Sequence, residues 1–187
     1  MLLDAARHDA VDCPYWSESD PDFAGIESDE ARVVILAESS GSGGVRFAGG
    51  DIGVGGGGGG RLFGAYGIGR FTLGIGAELG ADGSLPETED GGRTFEAVLS
   101  SSAMFLMRYT YVSRVLDVEL SYRTLYNDER RHGFRIDIGY GITTPRVAGF
   151  MPYGLLWIGY ETYPSARGQS AEHAVLVGTR VGFDWDP

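Results

Sequence analysis

The sequence has no lysine, a single cysteine and no long apolar run, and each absence excludes a class of protein. All fifteen basic residues are arginine, and twenty-six acidic residues give a net charge of −11. Nucleic-acid binding depends on cationic contacts with phosphates, so this charge argues against a nucleic-acid partner. Because Cys13 is alone, an internal disulfide framework and a cysteine-rich zinc site are excluded. No run of about 18 apolar residues is present, which excludes a transmembrane helix.

Glycine is the residue that the sequence has in excess, with 31 among 187 residues. The hydrophobic content of 43% and the aromatic content of 12% favour a sheet with tight turns, because disordered chains are poor in aromatic residues. Acidic residues concentrate at the start, where residues 1 to 30 carry a net charge of −8. We therefore predict an acidic, mostly irregular segment over residues 1 to 30 and one β-barrel domain over residues 31 to 187.

A period of two identifies the strands. Between residues 70 and 80, large apolar side chains occupy odd positions such as Phe71 and Leu73, while glycine, threonine and glutamate occupy even positions. A helix cannot satisfy this period, so the stretch is a strand with one apolar face. Similar patterns predict eight strands, over residues 31–38, 61–68, 70–80, 94–109, 115–126, 133–143, 150–163 and 173–185.

The connections between these strands indicate the topology. The stretch from Ser39 to Gly57 is dominated by glycine and serine and is predicted as a long loop. Long connections then follow strands 1, 3, 5 and 7, and short ones follow strands 2, 4 and 6. This order predicts an all-β fold, a closed antiparallel up-and-down β-barrel of about eight strands.

The two faces of the strands differ in chemistry. An eight-stranded barrel has an interior that side chains fill, which suits glycines and paired charges. The polar face therefore predicts a barrel-interior charge network of Glu78, Glu96, Arg108, Asp117, Glu119, Arg123, Arg135, Asp137, Glu161, Arg180 and Asp184. The apolar face predicts membrane-facing residues, namely Phe71, Leu73, Ile75, Leu116, Val118, Leu120, Ile136, Ile138, Tyr140, Val175, Val177 and Phe183.

Aromatic residues such as Tyr109, Tyr122 and Trp185 gather toward strand ends, as at the two interfaces of a membrane. With these features, residues 31 to 187 resemble the small eight-stranded bacterial outer-membrane barrels of the OmpA/OmpX type. The stretch from Gly178 to Phe183 is similar to their C-terminal assembly signal, although four residues follow it and no signal peptide is visible. The resemblance implies a Gram-negative outer-membrane location, contact with a lipid bilayer or detergent, and a monomer.

Three functions follow from this sequence. The first is a non-enzymatic structural or surface-interaction role, with a plugged interior and long loops that would carry any ligand. The alternative is a binding barrel for a small apolar ligand, with Tyr153, Leu155 and Trp157 as inward candidates. If that barrel is soluble and lipocalin-like, the face of Phe71, Leu73 and Ile75 lines the cavity instead.

The third function is a lipid hydrolase or acyltransferase, which needs a nucleophile, a base and an acid within reach of one another. His132 lies in a charged loop and His173 at a strand start, positions that favour solvated histidines over a catalytic base, so we expect no enzyme. The glycine run from Gly55 to Gly60 lacks the Lys and Ser/Thr of a phosphate-binding loop, and no calcium-loop motif is complete. We therefore expect no cofactor and no metal.

Overall fold

The computed structural model describes residues 31–85, 96–127, 130–165 and 170–187, which form a closed β-barrel. Each strand pairs antiparallel with the next, and the last pairs with the first. The all-β, closed antiparallel up-and-down barrel of eight strands is therefore confirmed, while the segment predicted over residues 1 to 30 lies outside the described residues. The strands are β1 (Ala31–Ala48), β2 (Asp51–Ile68), β3 (Phe71–Leu85), β4 (Glu96–Tyr111), β5 (Arg114–Leu125), β6 (Arg131–Thr143), β7 (Phe150–Tyr163) and β8 (Glu172–Trp185).

The strand register determines the tilt of the barrel. A path that follows paired residues from Ile35 through all eight strands returns to β1 at Val45, an offset of 10 residues. With a rise of ~3.3 Å per residue and ~4.8 Å between strands, this offset corresponds to a tilt of about 40°. Such a barrel is narrow enough for side chains to fill its interior.

Burial alternates along the strands as their sequences predict. In β5, Asp117, Glu119 and Arg123 are buried, whereas Leu116 and Leu120 are exposed. Successive side chains of a strand point to opposite faces, so the charged set faces the lumen and the apolar set faces outward. An apolar cluster shares the interior with the charges and comprises Val34, Leu36, Phe63, Ala65, Met104, Leu106, Val115, Tyr153, Leu155, Trp157, Ala174 and Leu176.

The largest departure from the predicted strands is at Ser39 to Gly57, which belongs to β1 and β2 and is not a loop. The turn between these strands consists of Gly49 and Gly50, whose φ angles are +59° and +100°. Glycine has a low strand propensity and no side chain that could show a period of two, so the sequence did not indicate that the two predicted strands continue through this stretch. The prediction of a long connection after strand 1 is therefore wrong.

The remaining strand bounds differ less from the prediction. β3 continues to Leu85, five residues beyond its predicted end, while the other bounds lie within about two residues. The stretch from Ala103 to Met107, where apolar residues do not alternate with polar ones, lies within β4. Two-residue turns join β2 to β3 and β4 to β5. In the part of the chain that the structure describes, no helix is long and apolar enough to cross a bilayer.

Candidate functional site: the charged barrel interior

Six side chains of alternating charge form a closed ring across the lumen, which we call the charge ring. Its members come from β2, β3, β5, β6 and β8, and no side chain is more than 4% exposed. In order around the ring they are Arg61, Glu119, Arg180, Asp137, Arg135 and Glu78. Each arginine thus lies between two carboxylates, and each carboxylate between two arginines.

The contacts in the charge ring are short. Arg180 donates from Nη1 to Glu119 Oε1 at 2.8 Å and from Nη2 to Asp137 Oδ1 at 2.6 Å. Arg135 lies 3.2 Å from Asp137 Oδ2 and 3.3 Å from Glu78 Oε2. Arg61 closes the ring, since its Nε is 3.3 Å from Glu78 and its Nη2 contacts Glu119.

One branch of ion pairs extends from the charge ring to Arg108. Glu38 accepts from Arg61 at 2.6 Å and from Arg108 at 3.1 Å, and it also accepts a hydrogen bond from the Tyr153 hydroxyl. Arg108 holds Asp117 with two parallel bonds of 2.8 and 2.7 Å. Its guanidinium carbon lies 3.9 Å from the ring centroid of Tyr153. Paired bonds of this type give arginine a fixed geometry.

A second branch extends in the opposite direction, toward the β1–β2 turn. Arg123 donates to Asp82 at 2.7 Å and to Glu161 at 2.5 Å, and it lies 3.7 Å from Glu78 of the ring. Arg46 then connects Asp82 to Glu172, at 3.4 and 2.7 Å. Arg131 also binds Glu172, at 2.6 Å. The charged network therefore extends along much of the lumen.

Trp157 forms part of the packing around the charge ring. The guanidinium carbons of Arg180 and Arg135 lie 5.0 and 5.3 Å from the centroid of its ring system. A cation within about 6 Å of an aromatic face is attracted to it. A buried ion is costly without partners, and these arginines have both carboxylates and an aromatic face.

Ten of the eleven residues predicted for the interior network are buried, and the exception is Glu96. Glu96 shares the inward parity of β4, but it is the first residue of that strand and is exposed. Water can solvate its carboxylate there, so its assignment to the buried network is wrong. Asp184 is buried but binds Arg146, at 2.5 Å, rather than the branches of the charge ring.

Several members of the network are absent from the sequence-based prediction. Asp82 and Glu172 fell between predicted strands, and Arg46 fell in the stretch of glycine and serine. Arg61 and Glu38 flank that stretch. Arg61 has the parity of Phe63, and this shared parity was the available signal. In β1, the inward orientation of Glu38 becomes clear only when the serines and glycines that follow it are assigned to the same strand.

The outer wall carries the residues predicted to face the membrane. Eleven of these twelve residues are exposed, from 40% for Phe183 to 72% for Ile75, and Val118 is half-buried. A soluble calyx would turn this face inward, but here it points outward. The lumen instead contains Tyr153, Leu155 and Trp157, each 4 to 5% exposed.

The two histidines in the described ranges lie on outward-facing positions. His132 Nδ1 is 3.2 Å from Thr124 Oγ1, and His173 Nδ1 is 2.7 Å from the Tyr160 hydroxyl. Within these ranges no carboxylate lies at ion-pair distance from either imidazole. The acid that would orient a catalytic histidine is thus not part of the arrangement that the structure describes.

Three buried carboxylates, Glu38, Asp117 and Glu119, have oxygen atoms within 4.8 Å of one another. Clusters of oxygen ligands suit hard cations such as Ca²⁺. Here Arg61 binds Glu38 and Glu119, and Arg108 binds Glu38 and Asp117. The guanidinium groups therefore supply the positive charge that a metal ion would otherwise provide.

No family model and no curated protein matches the sequence. Among solved structures, Neisserial surface protein A is similar with 11% identity and a TM-score of 0.47, over 81% of this chain and 98% of that one. The N-terminal β-barrel domain of Pseudomonas aeruginosa OprF has 12% identity and a TM-score of 0.39, over 83% and 100%. For the translocator domain of autotransporter NalP from Neisseria meningitidis the identity is 12% and the TM-score 0.30, over 95% and 94%.

Proposed function

We propose that this chain is a monomeric bacterial outer-membrane β-barrel with a plugged interior and a non-enzymatic structural or surface-interaction role. The observation that carries the proposal is the inverted polarity of the wall. Large apolar side chains are exposed on every strand, while arginine, aspartate and glutamate are buried inside. An apolar band around a closed barrel is favourable in contact with lipid chains and unfavourable in contact with water.

The dimensions and the aromatic residues support a membrane location. A tilted strand needs about 9 to 11 residues to cross a bilayer, and the shortest strand here has 12. Tyr109 and Trp185 lie at the end of the barrel where the chain leaves β8, and Tyr122 and Tyr126 lie toward the other end. Tyrosine and tryptophan are enriched at both membrane interfaces.

The charge ring supports a plugged lumen rather than a wide pore. Opening a passage would separate buried ions from their partners, which is costly. Tyr153, Leu155 and Trp157 fill further space, so a lumenal site for an apolar ligand has less support. Any binding partner would then meet the connections between strands.

The test combines detergent dependence with solute flux. We expect the purified protein to require detergent, to migrate differently on gels with and without boiling, and to insert as a monomer into liposomes. Proteoliposomes should swell in sugar solutions no faster than empty vesicles. A protein that stays soluble and monomeric without detergent would contradict the membrane proposal, and rapid swelling would contradict the plug.

A further inference from the structure

Arg114 is the one formally charged side chain at an outward-facing strand position in the described parts of the wall. It is the first residue of β5 and is exposed. Within the same described parts, no carboxylate lies at ion-pair distance from it. An arginine on the lipid face costs about 2 to 4 kcal/mol at the bilayer midplane and about 0 to 1 near the interface. Its place at a strand end therefore suits the level of lipid headgroups.

Two neighbours give Arg114 the surroundings of a binding site. Tyr111 is its directly paired residue across the two-residue turn between β4 and β5. The guanidinium carbon of Arg70 lies 4.5 Å from the centroid of the Tyr111 ring, which is 49% exposed. Arg70 lies in the β2–β3 turn, and its carbonyl accepts a hydrogen bond of 2.9 Å from the Thr110 backbone amide. This bond fixes the β2–β3 turn against β4. The Arg70 guanidinium thus lies against an exposed tyrosine, and Arg114 is paired directly opposite that tyrosine on the neighbouring strand.

This set of groups matches a phosphate at a membrane interface. Guanidinium groups bind phosphate oxygens with paired hydrogen bonds, and tyrosine places its hydroxyl at headgroup level while its ring contacts apolar chains. The neighbouring wall is apolar and aromatic, since Phe71 and Tyr109 pack with ring centroids 5.0 Å apart. An acyl chain would therefore find an apolar surface beside the cations.

We propose that Arg114, Arg70 and Tyr111 bind the phosphate of a membrane glycerophospholipid, in the leaflet at the β2–β3 and β4–β5 turns. The proposal rests on the membrane location under Proposed function. Arg146, at the turn between β6 and β7, provides a contrast to Arg114. It donates to Asp184 at 2.5 Å and to the Gly149 carbonyl at 2.7 Å, so its guanidinium is already engaged by protein groups.

The experiment measures lipid binding to the full chain in a non-ionic detergent by native mass spectrometry. The probes are phosphatidylglycerol, diacylglycerol with the same acyl chains, and inorganic phosphate. The variants are Arg114→Gln, the double variant Arg70→Gln/Arg114→Gln, and Arg130→Gln as the matched control. Arg130 has its guanidinium carbon 5.7 Å from the Tyr126 ring at the opposite end of the barrel.

We expect the wild type to bind phosphatidylglycerol in preference to diacylglycerol, and Arg114→Gln to weaken this binding about fivefold. The double variant should weaken it further, and Arg130→Gln should leave it unchanged. Equal binding by the wild type and the double variant would overturn the proposal, as would an equal loss in Arg130→Gln. Inorganic phosphate that binds as tightly as the lipid would replace the lipid site with a free-anion site.

The gel shift and detergent dependence of each variant separate this proposal from the one on which it rests. If the variants behave as folded, detergent-dependent barrels and bind phosphatidylglycerol like the wild type, the phosphate site fails and the membrane barrel stands. If the wild type needs no detergent, the membrane proposal fails, and the phosphate site fails with it.

Discussion

Two hairpins of the barrel have the same backbone pairing and very different side chains. The charged hairpin, β5 with β6, alternates apolar residues outside with Asp117, Glu119, Arg135 and Asp137 inside. In the glycine hairpin, β1 with β2, Ser39–Gly44 faces Gly55–Gly60, and no side chain there is larger than serine.

Backbone pairing is common to both hairpins, whereas the paired stretches Ser39–Gly44 and Gly55–Gly60 contain no charged side chain that could form an ion pair. The glycine hairpin is held by pairing with β8 on one side and β3 on the other, and the hydroxyl of Ser42 lies 3.3 Å from both the amide and the carbonyl of Gly57. The charged hairpin adds ion pairs to the same ladder. Closure can therefore impose strand structure where side chains contribute almost nothing.

The largest expected effect comes from removing a charge of the charged hairpin. In Asp137→Ala, Arg180 and Arg135 each lose a carboxylate within the lumen, so we expect a loss of about 3 to 5 kcal/mol in the free energy of unfolding. Ser42→Ala in the glycine hairpin should cost only about 0.5 to 1.5 kcal/mol. Urea unfolding in lipid vesicles, followed by tryptophan fluorescence, measures both. Equal losses would remove the distinction between the hairpins.

An arginine placed on the outer wall tests the depth of each hairpin in the membrane. Leu120 lies in the middle of β5, whereas Phe47 lies next to the turn of the glycine hairpin. We expect Leu120→Arg to cost about 2 to 4 kcal/mol of unfolding free energy and Phe47→Arg about 0 to 1. The same vesicle unfolding assay measures the difference. A larger cost at Phe47 would place the membrane around the tip of the glycine hairpin.

Two adjacent glycines of β2 test how closely the glycine hairpin packs. A Cβ on Gly59 would contact the Leu79 carbonyl and lie 2.9 Å from Gly80 Cα, whereas nothing lies within 4 Å of a Cβ on Gly60. We expect Gly59→Ala to lower the free energy of unfolding by about 1 to 3 kcal/mol. Gly60→Ala should be neutral or stabilising by up to about 1 kcal/mol. If both variants have the unfolding free energy of the wild type, close backbone packing does not explain why glycine occupies position 59.

The smallest effect concerns the turn that leads into the charged hairpin. Val112 has a φ of +52°, a conformation that costs a residue with a Cβ about 1 to 2 kcal/mol. Glycine already occupies the corresponding positive-φ positions of the β1–β2 turn. We expect Val112→Gly to raise the free energy of unfolding by about 1 kcal/mol, with Ser113→Gly as the control that gains nothing. A loss in Val112→Gly would show that its side chain contributes more than its backbone costs.

The contrast between the hairpins also explains how far the sequence predicts the fold. β5 and β6 show both faces in their side chains, so their existence, type and orientation followed from a period of two. The stretch around Gly55–Gly60 has no side chains from which a face could be inferred. Its strand structure depends on pairing with residues such as Ala81 and Leu79 of β3, which are about twenty positions away.

The sequence predicts which residues of the charge ring face the interior better than it predicts which of them pair with one another. Parity alone placed Glu119, Asp137 and Arg180 on one face, but it could not say which arginine binds which carboxylate. Arg180 and Glu119 are 61 positions apart in the sequence, and their contact follows from barrel closure and the stagger of the strands. Arg61 was omitted although it shares the parity of Phe63, because the predicted strand began at Arg61 and the glycines before it were not assigned to a strand.

The offset of 10 residues around the barrel is fixed by the register of all eight strand pairs. A strand that slips by one residue relative to a single neighbour changes this offset, and it also turns that strand's charges toward the outside. A slip of the strand relative to both neighbours would preserve the offset, but it would still place charged side chains on the outer wall. A misaligned strand would therefore disturb the offset, the polarity or both, and the closed barrel offers no free edge at which a second copy could pair.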